Sequence, residues 1–154
     1  MLATKINKAW IEAHIPHQGT MCLLDHVASW DEQHIICSAS SHTLPDNPLR
    51  YREQLSTACG IEYAAQAMAV HGALMAPAKQ QKPTAGFLVS VRGATIHRAR
   101  LDDIHHNLTV KAVCIHSSDD NILYEFTLHA ETVLLLDGRA AVMLNADTLL
   151  GTSQ

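Results

Sequence analysis

The segment that most constrains the fold is an alanine-rich stretch, residues 53–74, with CGIEYAAQAMAVHG at its centre. It lacks proline and has few β-branched residues, and alanine has the highest helix propensity, so it predicts one long helix. Ser56 or Thr57 can cap the start of this helix, and the residues before Pro77 end it. Apolar side chains surround the helix on nearly all sides, so the rest of the chain must enclose it.

Strand-like segments flank the helix on both sides. MCLLDHVASWD and QHIICSAS precede it and predict a hairpin that turns at residues 31–33. Four more predicted strands follow it, in GFLVSVRGATIHRARL, NLTVKAVCIHS, NILYEFTLHAETV and RAAVMLNA. In the third of these, apolar residues alternate with mostly polar ones, which is typical of a strand with one buried face. Residues 118–121 predict a turn, and Asp137 with Gly138 predicts a hairpin.

A single antiparallel sheet curved around one helix accounts for this order of elements. The α+β class and the hotdog fold are therefore predicted, with one domain over residues 1–154 and a short additional helix near residues 9–14. Such a sheet leaves an unpaired edge, which a second subunit can cover. We therefore expect a dimer.

Composition and charge exclude several other classes. Apolar residues make up 47% of the 154 residues, which is typical of a globular domain and not of a disordered chain. The net charge of -4 argues against nucleic acid as a partner, because phosphate binding requires a concentrated basic surface. No apolar run reaches the ~18 residues that a membrane span requires. Four scattered cysteines without a CxxC pair predict reduced thiols in a cytoplasmic protein.

The histidine clusters do not form a recognised metal motif. His14 and His17 have the spacing HxxH, and His105 and His106 are adjacent. Neither cluster supplies the full ligand set of a zinc site or the HExxH form of a metalloprotease. No glycine-rich phosphate loop is present in the sequence. We therefore expect neither a metal nor a cofactor.

Glu62 and Gln66 are the unusual residues of the predicted helix. At 100° per residue they lie about 40° apart on one face, with the small residues Ala65 and Ala69 beside them. Glu62 carries the only formal charge between residues 54 and 78, although an exposed helix normally has many. One interpretation makes Glu62 a solvent-exposed or arginine-paired carboxylate and Gln66 an ordinary buried amide. The other is that an isolated carboxyl group on a mostly buried helix serves as a general acid.

Three segments resemble one enzyme family. IPHQGTMCLLDHV (residues 15–27), GIEYAAQAM (60–68) and LLDGRAAV (135–142) are similar to the first strand segment, the helix motif and the last hairpin of β-hydroxyacyl-acyl-carrier-protein dehydratases. The resemblance covers residues 14–146 and is closest to the dehydratase-like proteins of aryl polyene biosynthesis clusters. It implies a hotdog enzyme that eliminates water from a 3-hydroxyacyl chain held as a thioester on an acyl carrier protein.

The resemblance also implies roles for individual residues. Glu62 matches the family's catalytic acid, and the glutamine that follows it in the motif is Gln66. Backbone N–H groups near Gly60, at the start of the helix, would polarise the thioester carbonyl. Gln66, Gly60, His17 and Asn47 are accordingly the candidate substrate-binding residues, and no metal is implied.

The catalytic base is the open part of this assignment. Counted back from Glu62, the family's histidine would fall near Asn47 and Pro48, neither of which can serve as a base. His42 lies in the same loop, a few residues further upstream, and is our candidate. Alternatively, His17 or a partner subunit supplies the base, or the chain has none.

Three functions fit these residues. The first is dehydration of an acyl-carrier-protein thioester, by a homodimer or by a heterodimer with a related hotdog subunit. The second is hydrolysis of an acyl thioester, in which Glu62 would activate water. The third is a non-catalytic or supporting subunit of a heteromeric dehydratase, which the displaced histidine would favour.

Overall fold

Two strands, one long helix and four further strands follow one another along the chain, in the order that the sequence predicts. The structure, a computed structural model, describes residues 6–76 and 87–143, with side chains from residue 90 onward in the second range. Its helices are α1 (Lys8–His14) and α2 (Gly60–Met75). Its strands are β1 (His26–Trp30), β2 (His34–Ala39), β3 (Phe87–Ile96), β4 (Leu108–Ser117), β5 (Asn121–Ala130) and β6 (Val133–Met143).

The strands form one six-stranded antiparallel sheet in the order β1-β2-β4-β5-β6-β3. α2 lies against β2, β4 and β5 at the middle of this sheet. The α+β hotdog fold predicted from the sequence is therefore confirmed. Within this single chain, β1 and β3 are the edge strands of the sheet.

Buried and more exposed residues alternate along β5, as the sequence predicts. Tyr124, Phe126 and Leu128 are buried, and the residues between them are more exposed. On α2, Tyr63 and Val70 are completely buried as well. Burying one large apolar side chain contributes about 1.5–3 kcal/mol, so the contact between helix and sheet is a main source of stability.

α2 begins later than predicted, because the segment before it pairs with a distant part of the chain. The N–H of Leu101 donates to the carbonyl of Leu55, so this part of the chain pairs with a distant segment and not with the next helical turn. The Ser56 hydroxyl group accepts from the N–H of Ala58 and caps a 3₁₀ turn, Thr57–Cys59, that leads directly into α2. Ser56 is therefore a cap, as predicted, but of the 3₁₀ turn and not of α2, whose own N-cap is Cys59 without a side-chain hydrogen bond. The predicted earlier start of the helix is wrong.

α2 ends at Met75, where the backbone of Ala76 becomes extended. Pro77, which the sequence predicts to end the helix, lies outside the described residues. In the described part of the chain, no helix combines the length and the hydropathy that crossing a membrane requires.

The predicted hairpin at Asp137 and Gly138 is wrong, because both residues lie inside β6. Gly138 pairs with Phe126 of β5, and a Cβ atom at Gly138 would lie 2.9 Å from the ring atom Cζ. The glycine is therefore required for the Phe126 ring to pack against this strand. The chain turns between β5 and β6 at Glu131, whose φ of 53° is in the left-handed region.

Candidate active site

Glu62 lies in the first turn of α2, and 34% of its side chain is exposed. Its Oε2 atom is 3.1 Å from Nε2 of His17, whose side chain is 27% exposed. His17 lies in the loop between α1 and β1, just before a 3₁₀ turn, Gly19–Met21. The fold therefore brings together a histidine and a carboxyl group that are far apart in the sequence. We refer to these two side chains as the His17–Glu62 pair.

Gln66 holds the Glu62 carboxyl group in place. Gln66 is completely buried, and its Oε1 accepts the N–H of Leu23 at 2.9 Å. Its Nε2 donates to the carbonyl of Met21 at 2.7 Å and to Glu62 Oε2 at 3.3 Å. The backbone partners allow only this orientation of the amide, so an N–H must face the carboxyl group. The observed contacts are those of a buried amide bonded to backbone, and substrate binding by Gln66 stays a prediction.

The loop that carries His17 is fastened to α1. The N–H of Gly19 donates to Glu12 Oε2 at 2.8 Å, and Gly19 has a φ of 59°, which glycine adopts without strain. Lys8 Nζ donates to the carbonyl of Cys22 at 2.8 Å. Together with the bonds from the buried amide of α2, these contacts fix the backbone that follows the histidine.

The exposed side of α2 is a stripe of small residues that begins at Glu62. Ala65, Ala69 and Gly72 lie along it and are partly exposed. The sequence predicts that Gln66 shares this stripe, but Gln66 faces the interior, because the border between the two sides of the helix runs between Glu62 and Gln66. The small side chains leave space beside the Glu62 carboxyl group.

Gly60 is buried, and two leucines occupy the space where its side chain would lie. A Cβ atom there would be 2.7 Å from Leu128 Cδ2 and 2.8 Å from Leu136 Cδ2. The N–H of Gly60 donates to the carbonyls of Thr57 and Ala58, so a thioester carbonyl would have to share this donor. The absence of a side chain at Gly60 therefore lets the start of α2 pack closely against Leu128 and Leu136 of the sheet. The predicted polarisation of the substrate by amides near Gly60 stays a prediction.

Asn47 lies in the loop after β2 and bonds to its own surroundings. Its Nδ2 donates to the Ser41 carbonyl and to Tyr63 Oη, both at 3.0 Å, and its Oδ1 accepts the N–H of Leu49 at 2.8 Å. Tyr63 Oη donates in turn to Ser41 Oγ at 2.7 Å, and Ser41 Oγ donates to the carbonyl of Leu23 at 2.8 Å. The polar atoms of the Asn47 side chain are thus engaged within the chain, and substrate binding by Asn47 stays a prediction.

His42 is buried in a 3₁₀ turn, Ser41–Thr43. Its Nε2–H donates to the carbonyl of Ile104 at 2.9 Å, so Nδ1 is the atom without a proton. Nδ1 is buried and has no hydrogen-bond partner among the described residues. Burial lowers the pKa of His42 and keeps the ring neutral near pH 7. In the part of the chain that the structure describes, no hydrogen bond or ion pair joins His42 to Glu62.

Two surface depressions lie away from the His17–Glu62 pair. One, of about 580 Å³, is on the sheet and is lined in part by Arg92 and Glu125. The other, of about 310 Å³, is lined in part by Arg98 and His105. Across residues 6–76 and 87–143, no three histidine, cysteine, aspartate or glutamate side chains are grouped to bind a metal. We therefore place the candidate site at the His17–Glu62 pair, on an open face of α2.

A histidine and a carboxyl group in contact can transfer protons in both directions. One group can take a proton from a bound molecule while the other donates one. Nε2 of His17 and Oε2 of Glu62 are 3.1 Å apart, so a proton that one group takes up has only a short distance to the other group. The geometry therefore suits an elimination or hydration at adjacent carbon atoms, and it also suits activation of water.

No sequence pattern singles out Tyr63, Ser41 or Leu23 as part of this site. Tyr63 lies in a mostly apolar part of the sequence and has the pattern of an ordinary core residue. The contribution of Leu23 comes from its backbone N–H and carbonyl, which no side-chain pattern can reveal. Only the fold brings these groups together.

Solved structures with a similar fold include a dehydratase complex and thioesterases. The dehydratase heterocomplex ApeI:P from Xenorhabdus doucetiae has a TM-score of 0.80 at 17% identity, with 94% of this chain and 97% of that chain covered. A mutant thioesterase from Pseudomonas aeruginosa has a TM-score of 0.58 at 14% identity, with 77% and 79% covered. A hypothetical thioesterase from Streptococcus pneumoniae, solved with coenzyme A, has a TM-score of 0.57 at 12% identity, with 78% and 84% covered. These similarities concern the fold.

The family follows from the sequence itself. No curated protein sequence matches the chain significantly. The sequence model of the ApeP-like family, described as ApeP dehydratase, matches residues 9–150. This match includes both members of the His17–Glu62 pair and every strand of the sheet. The chain therefore belongs to the ApeP-like dehydratase family.

Proposed function

We propose that the protein dehydrates 3-hydroxyacyl chains that are bound as thioesters to an acyl carrier protein. The observation that carries the proposal is the contact of His17 with Glu62 beside the open stripe of α2. Elimination of water needs one group that removes a proton from the α-carbon and one that protonates the departing hydroxyl group. Membership of the ApeP-like dehydratase family supports this reaction.

In this proposal His17 is the base and Glu62 is the acid. Nε2 of His17 takes the α-proton, the electrons of the C–H bond form the double bond, and the C–O bond breaks as Glu62 protonates the hydroxyl group. Water leaves, and the reaction ends with a protonated His17 and an ionised Glu62. Because Nε2 and Oε2 are 3.1 Å apart, the proton can pass directly between them and restore the starting state.

The start of α2 would support the thioester carbonyl during this reaction. The helix begins next to Glu62, and its N-terminal end carries a partial positive charge that favours developing negative charge on an oxygen atom. The amides near Gly60 are the donors closest in sequence. The N–H of Gly60, which now donates to the carbonyls of Thr57 and Ala58, would exchange one of these acceptors for the carbonyl oxygen of the substrate.

His42 is the competing base. A neutral buried ring can accept a proton, and burial lowers the pKa of His42. However, Nε2–H is engaged with the carbonyl of Ile104, and Nδ1 would have to leave its buried position to meet a substrate. We prefer His17 because it already contacts Glu62.

We also infer that a second hotdog subunit covers the open side of α2. Glu62 is one third exposed in a single chain, and proton transfer on a thioester profits from the exclusion of water. Ile96 on the edge strand β3 is 51% exposed and would be covered if the partner pairs along this edge. The fold similarity to a dehydratase heterocomplex favours a heterodimer with a related subunit over a homodimer.

The cytoplasmic location expected from the cysteines fits an acyl carrier protein as substrate.

Hydrolysis of the thioester is the second candidate function. Thioesterases are among the proteins with a similar fold. A carboxyl group beside a histidine can also activate water for attack on the thioester carbonyl. The product would then be a free acid, whereas dehydration leaves an unsaturated thioester on its carrier.

The experiment that tests these functions uses a 3-hydroxyacyl acyl carrier protein and mass spectrometry of the products. The chain is assayed alone and together with a related hotdog subunit. Loss of water with the carrier still attached supports the dehydratase, and release of the free acid supports the thioesterase. Activity that needs the added subunit and survives Glu62→Gln would make this chain the supporting subunit. No turnover in any combination would contradict the proposal.

A further inference from the structure

We propose that the buried hydroxyl group of Tyr63 positions the His17–Glu62 pair through a continuous chain of hydrogen bonds. The inference rests on the proposed function, since it concerns the geometry of that pair. It makes Tyr63, the residue after Glu62, a positioning residue, which influences the reaction without contact to the substrate.

The first part of this chain runs from Tyr63 to the backbone of Leu23. Burial raises the pKa of Tyr63, so the proton stays on Oη. Oη donates that proton to Ser41 Oγ at 2.7 Å, because Ser41 gives its own proton to the carbonyl of Leu23 at 2.8 Å. Asn47 Nδ2 donates to Oη from the other side at 3.0 Å. The terminal carbonyl thus fixes the direction of every bond.

The second part runs from Leu23 to Glu62. The N–H of Leu23 donates to Gln66 Oε1 at 2.9 Å, so both polar groups of Leu23 are held by buried side chains. Gln66 Nε2 bonds to the carbonyl of Met21 at 2.7 Å and to Glu62 Oε2 at 3.3 Å. Residues 21–23 are thereby clamped to α2. His17 lies just before this segment, so a shift of the clamp moves its ring relative to the carboxyl group.

Removal of one hydroxyl group should loosen this clamp. Without Oη, Asn47 Nδ2 loses an acceptor and Ser41 Oγ loses a donor, and both groups are buried. Buried polar groups that lose a partner rearrange to find another, so the bonds beyond them change as well. A catalytic pair needs its geometry to within about 0.5 Å, so a small shift should lower kcat. KM should stay the same, because Tyr63 touches no substrate.

The test compares Tyr63→Phe with Tyr124→Phe in the full chain, with its partner subunit if activity needs one. Tyr124 is a matched control, because it is 1% exposed and its hydroxyl group bonds to His71 at 2.8 Å, in a cluster with no described bond to Glu62. We expect Tyr63→Phe to lower kcat about tenfold with KM within about twofold. Tyr124→Phe should lower the melting temperature similarly and leave kcat within about twofold of wild type.

Equal losses of kcat in the two variants, or no loss in either, would overturn the inference. If Tyr63→Phe does not fold, Ser41→Ala removes the same link and must show the same loss of kcat. Amide hydrogen exchange of Leu23 provides a readout besides activity. Exchange that is faster in Tyr63→Phe than in Tyr124→Phe supports the clamp, and equal rates contradict it. An inactive wild type with this difference in exchange would contradict the proposed function alone.

Discussion

α2 carries a histidine-containing polar cluster near each end, and the two clusters differ in what they leave open. Near the end of the helix, His71 Nε2–H donates to the carbonyl of Asp31 and its Nδ1 accepts from Tyr124, both at 2.8 Å. His71 and Tyr124 are 3% and 1% exposed, so this cluster is closed. Near the start, the hydrogen bonds end at Glu62, which lies 3.1 Å from His17, and these two side chains are 34% and 27% exposed.

The same residue types therefore stabilise the fold where all their polar atoms are buried and bonded within the chain, and are available for chemistry where some of them are exposed. In the closed cluster each ring nitrogen of His71 has a partner, and burial lowers its pKa, so the ring stays neutral. In the open cluster the inner bonds fix Glu62 from one side only, and its other side faces a stripe of small residues. A substrate can reach the second cluster and not the first.

The largest expected effect is the loss of activity in Glu62→Gln, which removes the ionisable carboxyl group and keeps the shape of the side chain. We expect kcat to fall at least about 100-fold, because general acid catalysis contributes about that much or more. The free energy of unfolding should change by less than about 0.5 kcal/mol, since the side chain is partly exposed. Mass spectrometry of water loss and a urea titration measure the two quantities.

Glu125→Gln is the matched control for this prediction. Glu125 is also partly exposed and lies 3.2 Å from Arg139 on the outer face of the sheet. Its variant should keep the wild-type rate. Wild-type turnover in Glu62→Gln would place the chemistry away from α2 and would remove the distinction between the open and the closed cluster.

His17→Gln and His42→Gln separate the two candidate bases. We expect kcat to fall about 100-fold in His17→Gln with little change in stability, because His17 is partly exposed and contacts Glu62. His42→Gln should instead lower the free energy of unfolding by about 1–3 kcal/mol and keep most of the activity, since His42 is buried and bonded to the carbonyl of Ile104. The reverse pattern would make His42 the base.

The fold could be predicted because one feature left few alternatives. A helix without a polar face needs a cover, and the strand patterns on both sides supply one curved sheet. The alternation along β5 depends only on neighbouring residues, and it is confirmed. Ser56 also acts as a cap, but of the 3₁₀ turn that precedes α2. The Asp-Gly pair at 137 and 138 does not form a turn, because glycine is also required where a strand needs room for a ring, here that of Phe126. No local pattern distinguishes the two cases.

The candidate site could be predicted only in part. Glu62 stands out because its neighbours on the helix lack charge. The inward orientation of Gln66 depends on which loop covers that side of α2, and helical periodicity does not contain this information. The contact of His17 with Glu62 joins two distant segments and depends on a turn at Gly19. A contact of this kind between distant segments can be recognised only in the folded structure.

The closed cluster should make stability depend on pH. The unfolded chain protonates His71 near its ordinary pKa of about 6.5, whereas burial lowers the pKa of the folded ring. The unfolded state then binds more protons, so the free energy of unfolding falls as the pH drops below about 6.5 and is constant for this group above it. Burial also lowers the pKa of His42, so this residue changes the free energy of unfolding with pH in the same direction. Each ring contributes a slope of up to about 1.4 kcal/mol per pH unit.

His71→Gln tests this pH dependence. Urea titrations between about pH 5 and 7.5 give the free energy of unfolding as a function of pH. Its slope should be shallower in His71→Gln than in wild type by up to about 1.4 kcal/mol per pH unit, which corresponds to one proton. His105→Gln is the control, because His105 is exposed, and its slope should match the wild type. If His71→Gln and wild type have the same slope, the buried ring does not control stability in this range, and the closed cluster loses its assigned role.

The smallest effects concern the two glycines of α2, one near each cluster. Gly60→Ala places a Cβ atom within 2.8 Å of both Leu128 and Leu136, so these side chains must shift. Overpacking of this kind costs typically about 1–3 kcal/mol, and the better helix propensity of alanine offsets up to about 1 kcal/mol. We expect a net loss of about 1 kcal/mol in the free energy of unfolding, measured by urea titration of the chain by itself.

Gly72→Ala should act in the opposite direction. No atom lies within 4 Å of the position that its Cβ would take, and Gly72 is inside the helix, so alanine should stabilise the chain by about 0.5–1 kcal/mol. If a second subunit covers the stripe as proposed, the added methyl group should also weaken its binding, because it would occupy space in which the partner packs against Gly72. A stabilised chain that binds its partner as tightly as wild type would show that the partner lies elsewhere. A destabilised chain would contradict the open space at Gly72 itself.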